Sequence, residues 1–105
     1  MGGFVTPPAH VNFMARKLFG EEGEIIDVSI AYLQSDGGGP VEHHVHPQHD
    51  HLFVVTKGQA RVQLGKETIL LGKDEAYRVP GGIPHSVWNH IEGETVMIGI
   101  SVKNK

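Results

Sequence analysis

Residues 38–58 read GGPVEHHVHPQHDHLFVVTKG, and the nine positions from His43 to His51 hold five of the chain's eight histidines. On an extended strand His44 and His46 leave the same face, while His43 points the other way. Pro47 marks the end of that strand, and the chain turns before the β-branched and aromatic run Leu52–Val55. If the return strand begins near Asp50, then His51, Phe53 and Val55 share one face. Should that face be the inner one, His51 joins His44 and His46. His49 falls in the turn and is expected to be solvent-exposed or just behind the ligands. A further histidine, His85, sits in PGGIPHSVWN, residues 80–89. Imidazole is the commonest protein ligand for transition metals, so a metal site is the first functional hypothesis.

Working outward, short apolar runs alternate with turn residues. Ile26, Val28, Ile30 and Tyr32 alternate with Asp27, Ser29 and Ala31, the period of a strand with one buried face. Gly37-Gly38-Gly39-Pro40 is expected to break the chain sharply. Residues 60–64 and 67–71 flank Gly65-Lys66 and read as a hairpin. Further strands are expected at 77–79, 86–89 and 95–102, the last with Val96, Ile98, Ile100 and Val102 on one face. Short strands at this spacing, with no convincing helix, predict an all-β sandwich or barrel. Residues 1–12, with Gly2, Gly3, Pro7 and Pro8, read as an N-terminal arm that frays or packs on a neighbouring subunit, and 13–105 as one barrel domain.

The 105 residues suit one domain. With no cysteine, a metal must be held by nitrogen and oxygen. The formal charge of −3 and scattered basic residues argue against a nucleic-acid partner. No apolar stretch reaches membrane-spanning length, and the N-terminus lacks signal-peptide character, so a cytoplasmic protein without a membrane partner is expected.

Two segments resemble the motifs of the cupins, small β-barrels built around a metal site. The first family motif runs glycine, five residues, His-x-His, three or four residues, glutamate, six residues, glycine. Here Gly38, His44, His46, position 51 and Gly58 meet it, with His51 in place of the glutamate. The shorter spacing would put Asp50 there instead, on the opposite face from Phe53. The second motif is met by Pro80, Gly82, His85 and Asn89, with Asp74 where the family has its opening glycine. Aspartate tolerates left-handed backbone better than most residues, so that turn survives. The resemblance implies an all-β, single-domain, antiparallel jelly-roll barrel with His44, His46, His51 and His85 as metal ligands. It also implies a divalent transition metal, drawn from Mn, Fe, Ni, Zn and Cu, and a homodimer.

Four neutral imidazoles would leave the ion's double charge uncancelled, making it a stronger Lewis acid than one held partly by glutamate. The expected function is a metal-dependent enzyme acting on a small organic substrate, first of all an oxygenase, with isomerase or hydrolase chemistry as variants. Its rival is a metal-containing module that binds or senses a sugar or organic acid without turnover. A third reading treats the ion as a staple for the barrel. Acid or base candidates near the site are confined to Asp50 and His49. Asn89 either orients a ligand or satisfies backbone, Phe53, Val55 and Trp88 line a pocket or fill the core, and His10 and His90 are expected at the surface.

Overall fold

The computed structural model describes residues 3–20, 23–44 and 49–104, with backbone alone at Phe19 and at 42–44. Eight antiparallel strands form it: β1 (Val11–Phe19), β2 (Ile25–His44), β3 (His49–Lys57), β4 (Gln59–Leu64), β5 (Glu67–Gly72), β6 (Ala76–Val79), β7 (His85–Asn89) and β8 (Thr95–Lys103). Their order across the sheet is β5-β4-β7-β2-β8-β3-β6, with β1 also paired to β2, and the sheet curls into a nearly closed barrel. Among the described residues no helix is long and apolar enough to cross a membrane.

Six of the expected strands appear within three residues of their expected ends. The hairpin turns at Gly65, whose φ of 57° lies in the left-handed region. Asp74 takes φ 69°, and its N–H donates to the Val55 carbonyl at 2.7 Å, so aspartate does serve where the motif has glycine. His49 opens β3, paired with Lys103, rather than lying in a turn.

The glycine run does not break the chain. β2 continues through Gly37–Pro40 and changes partners, leaving β8 at Leu33 and meeting β7 at Gly38 and Gly39. Glycine is needed there because the backbones approach closely: a Cβ on Gly38 would collide with the Val87 carbonyl and lie 2.7 Å from the Trp88 Cα. β1 had no signal of its own, being an edge strand whose sequence carries Arg16 and Lys17. The arm before it folds onto its own barrel. Val5 and Ala15 exchange N–H···O bonds of 2.8 Å, and the Val41 N–H donates to the Ala9 carbonyl at 2.8 Å.

The core is a cluster of Ala31, Leu33, Val55, Ala60, Val62, Leu71, Val79, Val87 and Met97. Leu33, Val55 and Val62 are wholly buried, each contributing about 1.5–3 kcal/mol relative to exposure. The strand alternation is real, but its sidedness reverses at one end. Asp27, Ser29 and Ala31 face a cavity inside the barrel, so Val28, Ile30 and Tyr32 face outward. There they form cross-strand rows: Val28, Ile100 and Leu52, then Ile30, Ile98 and Val54. Val28 and Val96 are buried yet stand outside the core cluster, shielded by this outer apolar face.

Candidate metal centre

His51 lies on the inward face of β3, opposite Ser101 of β8 and Val79 of β6. His85 begins β7, directly after the Pro80–Pro84 turn. The fold brings the two together across 34 residues of sequence: His51 Nδ1 and His85 Nε2 are 3.0 Å apart. Phe53 backs both rings, with centroids 5.8 Å from His51 and 5.9 Å from His85.

The proton positions follow from the neighbours. His85 Nδ1 is 2.9 Å from the Ile83 carbonyl, which can only accept, so Nδ1 carries the hydrogen. In the neutral ring Nε2 then holds a lone pair aimed at His51. Such a pair needs either a proton or a cation between its nitrogens. Two nitrogens each about 2.1 Å from one six-coordinate ion, at right angles, are about 3.0 Å apart, so the observed separation accommodates a shared cation as well as the N–H···N hydrogen bond the two rings make without one. The carbonyl behind His85 is the usual orienting partner of a ligating imidazole. The donor set therefore fits a borderline transition metal.

The remaining expected ligands are less fully defined. The His44 backbone pairs with His85, which brings the end of β2 to the site. Its side chain, and the whole of His46, lie outside the described residues. Among the described residues no three potential ligands converge on one point.

Asp50 is committed elsewhere. One carboxylate oxygen accepts from the Gly81 N–H at 2.7 Å and the Asn104 amide at 2.9 Å. The other accepts from Arg78 Nε at 2.8 Å, with Arg78 Nη2 2.6 Å away. The Asn104 hydrogen bond, then that of Gly81, then that of Arg78, hold its pKa down at about 2, against an opposing effect of burial. Its role is to tie the turn before His85 to β3 and the chain's end, on the outward face, so it supplies neither a base nor a ligand facing the cavity.

Asn89 is a structural staple. Its amide donates to the carbonyls of Leu33, Gln34 and Gly93 at 3.0, 3.0 and 2.7 Å. Its oxygen accepts from the Ile91 N–H at 3.0 Å and the Thr95 hydroxyl at 2.7 Å. Val55 belongs to the core, and Trp88 is directed away from the cavity that Val87 lines, donating to Ser86 Oγ at 2.9 Å.

The imidazole pair opens into a cavity of about 300 Å³. Its apolar wall includes Phe13, Phe53, Val87 and Met97, and its polar wall comprises His10, Asp27, Ser29 and Ser101. His10, expected at the surface, is brought in by the arm; its Nδ1 bonds the Pro8 carbonyl at 2.8 Å and its ring packs on Phe13. His90 is at the surface as expected, beside Arg61.

A small barrel with a histidine pair at the mouth of an interior cavity is the architecture of a cupin. The Cupin_2 family model, described as a cupin domain, matches residues 32–102, and the chain belongs to that family. No curated protein sequence matches the chain. Among solved structures, the cupin domain of Schizosaccharomyces pombe Cnp3 is similar at TM-score 0.78 and 17% identity, over 90% of this chain and 66% of that one, just under two thirds of its length. The cupin_2 domain of an XRE-family transcriptional regulator from Enterobacter cloacae gives TM-score 0.78 and 17% identity, over 90% and 100% of the two chains. The polyketide cyclase RemF from Streptomyces resistomycificus gives 0.76 and 19%, over 96% and 73%. At these identities the likeness is one of fold.

Proposed function

We propose that this cupin is a metal-dependent enzyme acting on a small organic substrate, with dioxygenase-like chemistry as the first reading. The observation that carries it is the His51–His85 pair, 3.0 Å apart and oriented by the Ile83 carbonyl, facing a ligand-sized cavity. His51 and His85, with His44 and His46, would hold a divalent ion drawn from Mn, Fe, Ni, Zn and Cu. When bound, the ion supplies Lewis acidity to substrate oxygens and, if redox-active, electrons to dioxygen. Phe13, Phe53, Val87 and Met97 keep bulk water from the reacting centre, and the Ile83 carbonyl keeps the His85 lone pair aimed inward.

The similarity to a polyketide cyclase supports an enzyme, and the similarity to the cupin domain of a transcriptional regulator supports the rival, a non-catalytic sensor of a sugar or organic acid. The two readings separate on turnover. Elemental analysis of untreated protein, then oxygen uptake with small diketones, phenols and thiols, is the test. Metal with substrate-dependent oxygen consumption supports the enzyme. Ligand binding without product favours the sensor, and protein that takes up no metal at any pH above 7 overturns both. The same reading includes a homodimer and a cytoplasmic setting. The apolar outer rows of β2, β8 and β3 offer the dimer a surface of about the right character.

A further inference from the structure

One wall of the cavity is polar in a way that the imidazole pair does not account for. His51, Ser101 and Asp27 form a single row across β3, β8 and β2, and Phe53, Gly99 and Ser29 form the next row. All six line the cavity. Gly99 leaves the middle of the second row without a side chain, and the Phe53 ring lies 3.9 Å from where its Cβ would stand. Among the described lining residues Asp27 is the only carboxylate, and none is a lysine or arginine. Lys17, paired with Ser29, is exposed and stands outside the lining. Asp27, Ser29 and Ser101 have no side-chain hydrogen bond or ion pair among the described residues. A carboxylate facing a ligand-sized space, with no partner among the described residues, is a group kept for a ligand's donor.

We propose that Asp27, flanked by Ser29 and Ser101, is the specificity-determining residue at the far end of the substrate subsite. It selects small molecules that carry an oxygen for the ion at one end and a hydrogen-bond donor, hydroxyl or ammonium, at the other. This rests on the metal reading of the histidine pair. Two strand spacings separate Asp27 from His51, about 10 Å between backbones, which the two side chains and a linear ligand of about four to seven heavy atoms together span. The cavity of about 300 Å³ is at the small end of ligand-sized pockets, in keeping with such a ligand. A ligand with a second anionic end is rejected, because Asp27 meets it with like charge and no lysine or arginine among the described lining residues compensates.

The test is calorimetric titration of zinc-loaded protein with four acids of matched length: butanoate, 4-hydroxybutanoate, 4-aminobutanoate and succinate. The expected result is that the hydroxy or the amino acid binds about tenfold or more tighter than butanoate, and succinate weakest. Which of the two donors wins tells a hydroxylated ligand from an amine. Asp27→Asn removes the charge without breaking an internal bond; it is expected to bring succinate level with 4-hydroxybutanoate while leaving zinc stoichiometry unchanged. Should that variant not fold, Ser29→Ala and Ser101→Ala carry the same comparison, each narrowing the preference severalfold. Succinate binding wild type as tightly as the donor-bearing acids, no acid binding at all, or selectivity indifferent to these substitutions overturns the proposal. Zinc content is read separately, so a loaded chain without this selectivity fails here alone, whereas a chain that takes no zinc fails at the metal reading too.

Discussion

Asn89 offers the sharpest test of how the barrel is held, because it can be broken without touching the cavity. It is 5% exposed and lies four residues along β7 from His85, about 13 Å away. Its amide serves the Leu33, Gln34 and Gly93 carbonyls, and its oxygen serves the Ile91 N–H and the Thr95 hydroxyl. Asn89→Ala removes all five. Thr95 keeps its contacts with the Gln59 backbone, so its loss is partial. The buried Leu33 carbonyl loses its partner, at about 1–3 kcal/mol for a polar group left buried and unpaired, while Gln34, Ile91 and Gly93 are exposed and can turn to water. Together with a small cavity, the sum is about 2–4 kcal/mol, a large part of the stability of a domain this size. Urea denaturation followed by Trp88 fluorescence measures it, with metal uptake at the far end unchanged. A loss below about 1 kcal/mol would refute the reasoning, since it would mean that water or a shifted loop serves these groups equally well.

Three further outcomes are expected. Metal occupancy, measured by elemental analysis after dialysis, falls as pH drops through about 6.5, where imidazoles protonate, and His85→Ala reduces it at pH 7.5; occupancy that is flat into acid would contradict the site. Asp50 has a folded-state pKa of about 2 against 3.8 for the free side chain, so its stabilisation is complete above pH 3.8 and is lost as pH falls from there towards 2. Thermal melts of Asp50→Asn should therefore be less pH-dependent than wild type in that window. If the proposed dimer uses the outer rows, Ile98→Glu, which places a charge between Ile30 and Val54, should sediment as monomer while wild type sediments as dimer; wild type sedimenting as monomer would remove the dimer.

The spacing of the chain's strands was legible because their apolar residues alternate between turns that use glycine or aspartate. What the pattern could not tell was which face looked inward. Ile26, Val28, Ile30 and Tyr32 carry the apolar signal, yet Asp27 and Ser29 face the interior, because at this end the interior is a cavity rather than packed side chains. Periodicity reports that two faces differ, and only the neighbouring strands determine what each face meets. Gly37–Pro40 misled for a related reason: glycine serves a turn and a close strand crossing equally well, and the crossing depends on Val87 and Trp88 some fifty residues away. His10 had no local signal, since its place follows from a backbone bond between Ala9 and Val41. His51 and His85 were legible from spacing and motif, and their meeting is the part of the site that the fold makes explicit. The two roles weighed for Asn89 were separable only once Leu33, Gln34 and Gly93 were seen to converge on it.

The long β2 strand carries a cost in assembly. Its first half is zipped to β8 and its second to β7, both drawn from the final twenty-one residues of the chain. During synthesis β2 leaves the ribosome when, of the strands it pairs with, only β1 has been made, and its apolar row of Val28, Ile30 and Tyr32 stays unpaired on its other edge until β8 follows. Pairing over such separations is slow and exposes sticky intermediates. Truncation anywhere before β7 would thus leave a chain that cannot close, and the yield of folded protein should depend on the last strands far more than on the first.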